Sequence, residues 1–448
     1  MADANYLIIE VLPKYSITFS NWYNKKVLGF MLKQVTLENW KSFRHAELYI
    51  DPLTVLIGTN ASGKSNVVDA LDFLNSIMQG TSVEAVLTGD RFTSGIRGGV
   101  EWAVRKPETK FSFQVLVDGE NEAGDYLYKI TIETQPTIQV IYESLTLIDS
   151  QKLSDSNSFQ QLSFIPSTVV PDGVKYKLFE ADKEYIEKIY PTPNPWLDRF
   201  TTQIPFYEFD NVHQIMLAES IVPNLLKKIF ILNPIPSQMR DYSPLSKKLE
   251  RDGSNIAGVL AALPKKQKAE VEEYLLKYLA QLPEGDMRKI WAETVGRLGR
   301  DAMLYCEEIW HPNQQPMIVD ACGMSDGTLR FLAILTAMLT QPEKSLIVIE
   351  EVDNGLHPSR AGLLLQMLRE IGEERQIDVL VTTHNSALLD ELTPKFIPFV
   401  MVAYRDKQTG ESQLIPLENI EDLPKLMASG TLGKIASKGL IEKSLKAD

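Results

Sequence analysis

Hydrophobic and polar positions divide the chain into two strand-rich stretches separated by a less regular one. From Met31 to about residue 150, MLKQVTLENWKSF reads as an opening strand and LTVLI as a short buried strand. FSFQVLV and YLYKITIE read as a strand pair around a polar Asp-Gly-Glu-Asn turn. After LTVLI, KSNVVDALDFLNSIM places apolar residues at 67, 68, 71, 74 and 78 on one helical face, directly after a glycine-containing loop. The predicted order there is strand, loop, helix. From about residue 316 alternation returns with a helix after Gly327, the strand SLIVI, a helix after His357-Pro358, the strand DVLV and then FIPFVMVA.

Residues 151–315 pass through YPTPNPWLDRF into a helical region that includes KKQKAEVEEYLLKYLAQL, and they read as an insertion. Residues 1–30 show no clear period. Two readings of them stay open: an upstream start ahead of a natural Met31, or an arm used for self-association. The expected organisation is an extension (1–30), an N-terminal lobe (31–150), a mainly helical insertion (151–315) and a C-terminal lobe (316–448). The expected fold class is α/β, with one mixed sheet drawing strands from both lobes. No internal repeat of roughly 20 to 50 residues is visible.

Composition changes this picture little: 448 residues, 44% hydrophobic and 23% charged, are those of an ordinary folded protein. The net charge of −13 matters more, since contact with nucleic acid would need a local basic patch. Two cysteines, Cys306 and Cys322, make neither a disulfide framework nor zinc-type spacing, which points to a reducing, cytoplasmic setting. No apolar run approaches the roughly 18 to 20 residues of a membrane span, and the N-terminus lacks a signal-peptide pattern.

The candidate chemistry starts at Gly58-Thr59-Asn60-Ala61-Ser62-Gly63-Lys64-Ser65, which fits G-x-x-x-x-G-K-[ST] in full between a strand and a helix. Gly58 and Gly63 let the backbone wrap so that successive N–H groups and the helix N-terminus face phosphates. Lys64 is expected to reach the β- and γ-phosphates of ATP, and Ser65 to ligate Mg²⁺. Hydrolysis also needs carboxylates at the end of a neighbouring strand, and Leu346–Ile349 lead into Glu350 and Glu351. Glu350 is assigned to the metal shell and Glu351 to the base. Glutamate at Glu350, where aspartate is usual, adds a methylene and predicts coordination through water. His384 ends another buried strand, where an imidazole could contact the γ-phosphate, because ligands of α/β sheets gather at the carboxyl ends of strands.

Residues 322–330, Cys-Gly-Met-Ser-Asp-Gly-Thr-Leu-Arg, resemble the signature motif of ABC-type ATPases, with Ser325 and Gly327 in its key places. From Met31 to about Ile441 the chain is similar to the RecF, Rad50 and SMC group. It most resembles bacterial single-chain ATPases and the ATPase part of overcoming-lysogenisation-defect nucleases. LENWKSF resembles the opening strand of that group, I-E-E-V-D-N-G-L-H-P its acidic segment, and Arg97-Gly98-Gly99, residues 233–240 and residues 252–260 match its single-chain members. The resemblance implies a P-loop ATPase head in which Lys41, Ser42 and Phe43 approach the nucleotide, alongside Asn60, Ala61, Ser62 and Asn66. It also implies that Asp353 crosses a dimer interface and that Ser325 of one copy closes over ATP held by another, giving a homodimer or higher homo-oligomer.

Two departures narrow the reading. Residues 151–315 are too short and irregular for a long coiled-coil arm. Only about 45 residues follow Ala403, so a nuclease domain is expected on a separate chain. The expected function is an ATP-driven switch controlling such an effector in anti-phage defence. The alternatives are a RecF-like DNA-binding ATPase and an ATP-holding scaffold with little turnover. Lysines at 227–228, 247–248, 265–266 and 268 could face DNA, but mixed signs in KKQKAEVEE favour a solvated helix face. Trp196, Phe200, Phe206, Tyr207 and Phe209 read as core packing before base stacking.

Overall fold

The computed structural model describes residues 31–91, 94–119, 125–148, 163–170, 173–180, 183–190, 212–282, 287–309 and 315–445. The first lobe begins with a hairpin, β1 (Leu32–Trp40) and β2 (Phe43–Tyr49), followed by the buried β3 (Leu53–Ile57). Helix α1 (Lys64–Met78) leads through the short α2 (Val83–Thr88) and α3 (Gly99–Ala103) into a meander of β4 (Lys110–Val117), β5 (Asp125–Glu133) and β6 (Gln139–Ile148). Three further strands, β7 (Ser163–Val170), β8 (Gly173–Glu180) and β9 (Lys183–Tyr190), form an antiparallel sheet of their own. Next come α4 (Val212–Lys227), β10 (Ile229–Leu232), β11 (Ser243–Pro244), α5 (Ile256–Ala262), α6 (Lys265–Leu279), β12 (Met287–Val295), β13 (Asp301–Glu308) and β14 (Met317–Asp320). The last lobe holds α7 (Asp326–Thr340), β15 (Leu346–Ile349), α8 (Ala361–Arg375), β16 (Asp378–Thr383), α9 (Ser386–Asp390), β17 (Val400–Arg405) and β18 (Ser412–Pro416). Three short helices, α10 (Leu423–Ser429), α11 (Leu432–Ser437) and α12 (Leu440–Ser444), follow.

One eleven-stranded sheet organises the molecule, in the order β10-β15-β16-β3-β17-β18-β2-β1-β4-β5-β6. From β10 to β17 the strands are parallel, and from β2 to β6 they are antiparallel. The fold is therefore mixed α/β, with the sheet built from both lobes as expected. Sequence explains the two halves differently. LTVLI, LIVI and DVLVTT are buried at every position, as in a parallel sheet covered on both faces. DYLYKITIE alternates between buried and half-buried, as in an antiparallel strand with one face on the core.

Each buried run serves two cores. Val55 and Ile57 join residues of α7 and α8 on one face, while Leu56 joins those of α1 and the β1–β4 region on the other. Trp40 anchors the second core, its ring centroid 5.0 Å from those of Phe111 and Phe113 and 5.7 Å from that of Phe73.

The expectation of a mainly helical insertion over 151–315 is amended for the described residues. Strand β10 joins the main sheet beside β15. Helices α5 and α6 accompany β12 and β13 in a second sheet, to which β14, expected in the C-terminal lobe, also pairs. These strands escaped the sequence reading because β12 is bulged and only irregularly alternating, whereas the neighbouring α6 has a clear helical period. Trp196, Phe200, Phe206, Tyr207, Phe209 and residues 1–30 lie outside the described residues. No helix among the described residues is long and apolar enough to cross a membrane.

Candidate functional site

Strand β3 runs between β16 and β17, and the loop 58–63 leaves its carboxyl end to begin α1 at Lys64. The glycines are needed for shape. Gly58 has φ +148, and a Cβ there would lie 2.1 Å from the Ala403 carbonyl. Gly63 has φ +112, and its Cβ would lie 2.8 Å from the Phe43 ring and 2.9 Å from the Ser412 hydroxyl. Ala61 also holds a left-handed backbone, with φ +63. Asn60 and Ala61 are exposed on the loop, while the buried Ser62 hydroxyl has no hydrogen-bond partner among the described residues.

Lys64 is buried and folds back over its own loop, donating to the carbonyls of Gly58 at 2.6 Å and Thr59 at 3.0 Å. Burial lowers the pKa of its ammonium, opposed by Glu351, Glu350 and Glu442. Beside it, the Ser65 hydroxyl donates to Oε1 of Glu350, at the end of β15. A hydroxyl and a carboxylate meeting at the N-terminus of α1 form the donor set that a hard cation such as Mg²⁺ takes, and the glycine cradle has the form that phosphates take. The residues present fit both groups.

Glu351 has a left-handed backbone, φ +48, held by its N–H donating to the Thr382 hydroxyl at 2.9 Å. Its carboxylate lies half-exposed, 3.9 Å from Nδ1 of His384, which follows β16. The Val352 N–H donates to the Thr382 carbonyl at 3.1 Å and Asp353 accepts from the Thr383 hydroxyl at 2.5 Å, so the acidic segment is tied three times to the end of β16. From the other face, buried Arg330 of α7 donates to the carbonyls of Glu350 at 3.2 Å, Glu351 at 3.0 Å and Pro234 at 3.1 Å.

The opening strand contributes support more than surface. Phe43 is fully buried and backs Gly63. The Ser42 hydroxyl accepts from the Asn66 amide at 2.7 Å, and the Trp40 indole N–H donates to the Asn66 carbonyl at 2.8 Å. The Lys41 ammonium is committed to Asp69 of α1 and to the Arg97 carbonyl at 2.8 Å.

Ser325 and Gly327 make their contacts on a different side. The Ser325 hydroxyl caps α7 by accepting from the Thr328 N–H at 3.1 Å. A Cβ on Gly327 would lie 2.7 Å from the Arg360 guanidinium and 2.9 Å from the Gly355 carbonyl, so glycine is required for this helix to approach the segment after the acidic pair. The motif's shape is set by Arg240, which donates to the carbonyls of Cys322 and Met324 at 2.7 Å each and to that of Ala321 at 3.2 Å, and pairs with Asp326 at 2.5 Å.

Sequence reasoning gave no role to Arg240, Arg330, Asp69 or Thr382. Arg240 closes the 233–240 segment and Arg330 closes the signature motif, which was the available signal.

Comparison with known proteins agrees with the loop. Both lobes are similar to ATPase domains. Residues 31–205 match the family described as "AAA ATPase domain", and residues 229–390 match "AAA domain, putative AbiEii toxin, Type IV TA system". Among solved structures, an SMC head bound to the C-winged helix domain of ScpA is 13% identical, with 86% of this chain and 97% of that one covered and a TM-score of 0.46. The SMC head domain from Thermotoga maritima is 14% identical, covering 86% and 98%, with a TM-score of 0.41. An SMC head with an extended coiled coil from Pyrococcus furiosus, bound to the C-terminal domain of ScpA, is 11% identical, covering 89% and 100%, with a TM-score of 0.44. No curated protein matches the chain.

Proposed function

We propose that this chain binds Mg²⁺-ATP on the loop Gly58–Ser65 and hydrolyses it. The observation that carries the proposal is the meeting of Ser65 with Glu350, beside buried Lys64, at the carboxyl ends of the parallel strands β3 and β15, which flank β16. Lys64, Asn60, Ala61, Ser62, Gly63 and Asn66 surround the phosphates, and Ser65 and Glu350 hold the metal. Glu351, with His384 beside it, activates the attacking water. Ser325, which caps α7, and Asp353, tied to the end of β16, then serve a second copy, head-to-head closure bringing them to the partner's nucleotide.

In this reading ATP closes two heads, and hydrolysis reopens them to hold or release a separate effector, a nuclease in anti-phage defence. The DNA-clamp alternative gains little support from α6, where Lys266 and Lys268 pair with Glu270 and Glu272. The test compares phosphate release by wild type and by Glu351→Gln, with solution mass measured with and without ATP. At least a hundredfold loss of turnover is expected, with an ATP-dependent dimer trapped by the variant. Equal turnover would leave an ATP-holding scaffold, and an ATP-independent mass would remove the head-to-head switch.

A further inference from the structure

The ion network around Asp69 has no place in the reading above. Arg97 sits in the turn before α3, followed by two glycines in left-handed conformations, Gly98 at φ +86 and Gly99 at φ +62. Its guanidinium is fully used. Nε donates to Asp69 at 2.8 Å, Nη2 to the Ser65 carbonyl at 2.9 Å, and Nη1 to both carboxylate oxygens of Glu350 at 3.2 Å. One planar cation thus joins the first two turns of α1 to the end of β15. Those are the elements that a metal ion between Ser65 and Glu350 would join.

We infer that Arg97 is a displaceable counter-ion of Glu350, competing with the divalent cation for that carboxylate; this rests on the metal role proposed for Glu350. Three observations support exchange over permanent bracing. The Arg97 side chain is 53% exposed, so its guanidinium regains water when it leaves. Asp69 keeps a compensating charge after that departure, because Lys41 pairs with its other oxygen. The Arg97 backbone stays anchored, since its carbonyl accepts from Lys41 at 2.8 Å. Arg97 is therefore a positioning residue that acts through Glu350, and metal entry is coupled to withdrawal of its guanidinium from that carboxylate while the 97–99 turn stays in place.

The experiment titrates Mg²⁺ into the full chain at a fixed, subsaturating concentration of a fluorescent ATP analogue, for wild type, Arg97→Gln and Arg97→Lys. Removing an ion pair of this exposure should lower the Mg²⁺ concentration for half-maximal binding by about threefold to tenfold in Arg97→Gln. Arg97→Lys, which keeps charge but loses the fork, should fall between and serves alone if the glutamine variant does not fold. An unchanged or higher midpoint in the folded variants, with wild type binding normally, would overturn this inference alone. Failure of wild type to bind the analogue at any Mg²⁺ concentration would overturn the metal role of Glu350 as well.

Discussion

Trp40 couples the stability of the first lobe to the geometry of the phosphate loop, and the two contributions can be separated by substitution. The indole is fully buried among Phe73, Phe111 and Phe113, and its N–H donates to the carbonyl of Asn66 in the first turn of α1. Trp40→Phe keeps an aromatic ring in the cluster but loses that bond, at about 1 kcal/mol, and leaves a small void costing about as much again. Trp40→Ala also empties the cluster, and the expected loss rises to about 3–5 kcal/mol. Urea unfolding followed by far-ultraviolet circular dichroism reads both values. Because the freed carbonyl lies one residue after Ser65, Trp40→Phe should also weaken nucleotide binding, by about threefold to tenfold. An unfolding midpoint equal to that of wild type in Trp40→Phe would show that the indole bond contributes nothing. A nucleotide affinity unchanged in both variants would break the link from core to loop.

Three other substitutions probe separate features. Gly63→Ala places a methyl against Phe43 and Ser412 at a left-handed backbone position, so nucleotide binding should fall at least tenfold while circular dichroism stays native; normal binding refutes the steric account. Asp378 is held at about 8 by burial and by nearby Asp51, so the folded chain keeps a proton that the unfolded chain loses near its ordinary value of 3.8. Stability should therefore drop as pH rises from about 4 to 8, by up to about 1.4 kcal/mol per unit, and Asp378→Asn should gain over wild type progressively from pH 5 to 8. Parallel melting curves for the two proteins across that range would reject the buried acid. Arg240→Ala unties three carbonyls and Asp326 at the head of α7, and faster amide exchange over residues 321–328 is expected, with unchanged protection there as the contrary result.

Much of the framework was legible because its signals are contiguous. LTVLI, SLIVI and DVLV are short apolar runs bounded by polar residues, and the loop between the first of them and α1 carries its glycines at fixed spacing. Candidate site residues could be named one by one for the same reason. What could not be read was who meets whom. Arg97 reaches Glu350 and Arg240 reaches Asp326 across long stretches of chain, and a single charged residue carries no address in sequence. The second sheet was missed on other grounds: β12 and β13 pair across a register shift, and irregular alternation beside the strong period of α6 looks like loop.

The place of β3 has a consequence for biosynthesis. Leu53 pairs with Val379 and Val55 with Val400, so the strand that carries the loop is flanked on both sides by strands made long after it. A ribosome-bound chain that has already exposed Gly58–Ser65 still lacks both rails that hold the loop in shape, and the Glu350 that faces Ser65 as well. Such a topology folds late, through long-range closures. Partial copies that stop short of β17 would thus be unable to capture nucleotide, and ATP could act on this protein only once both flanking strands have been made.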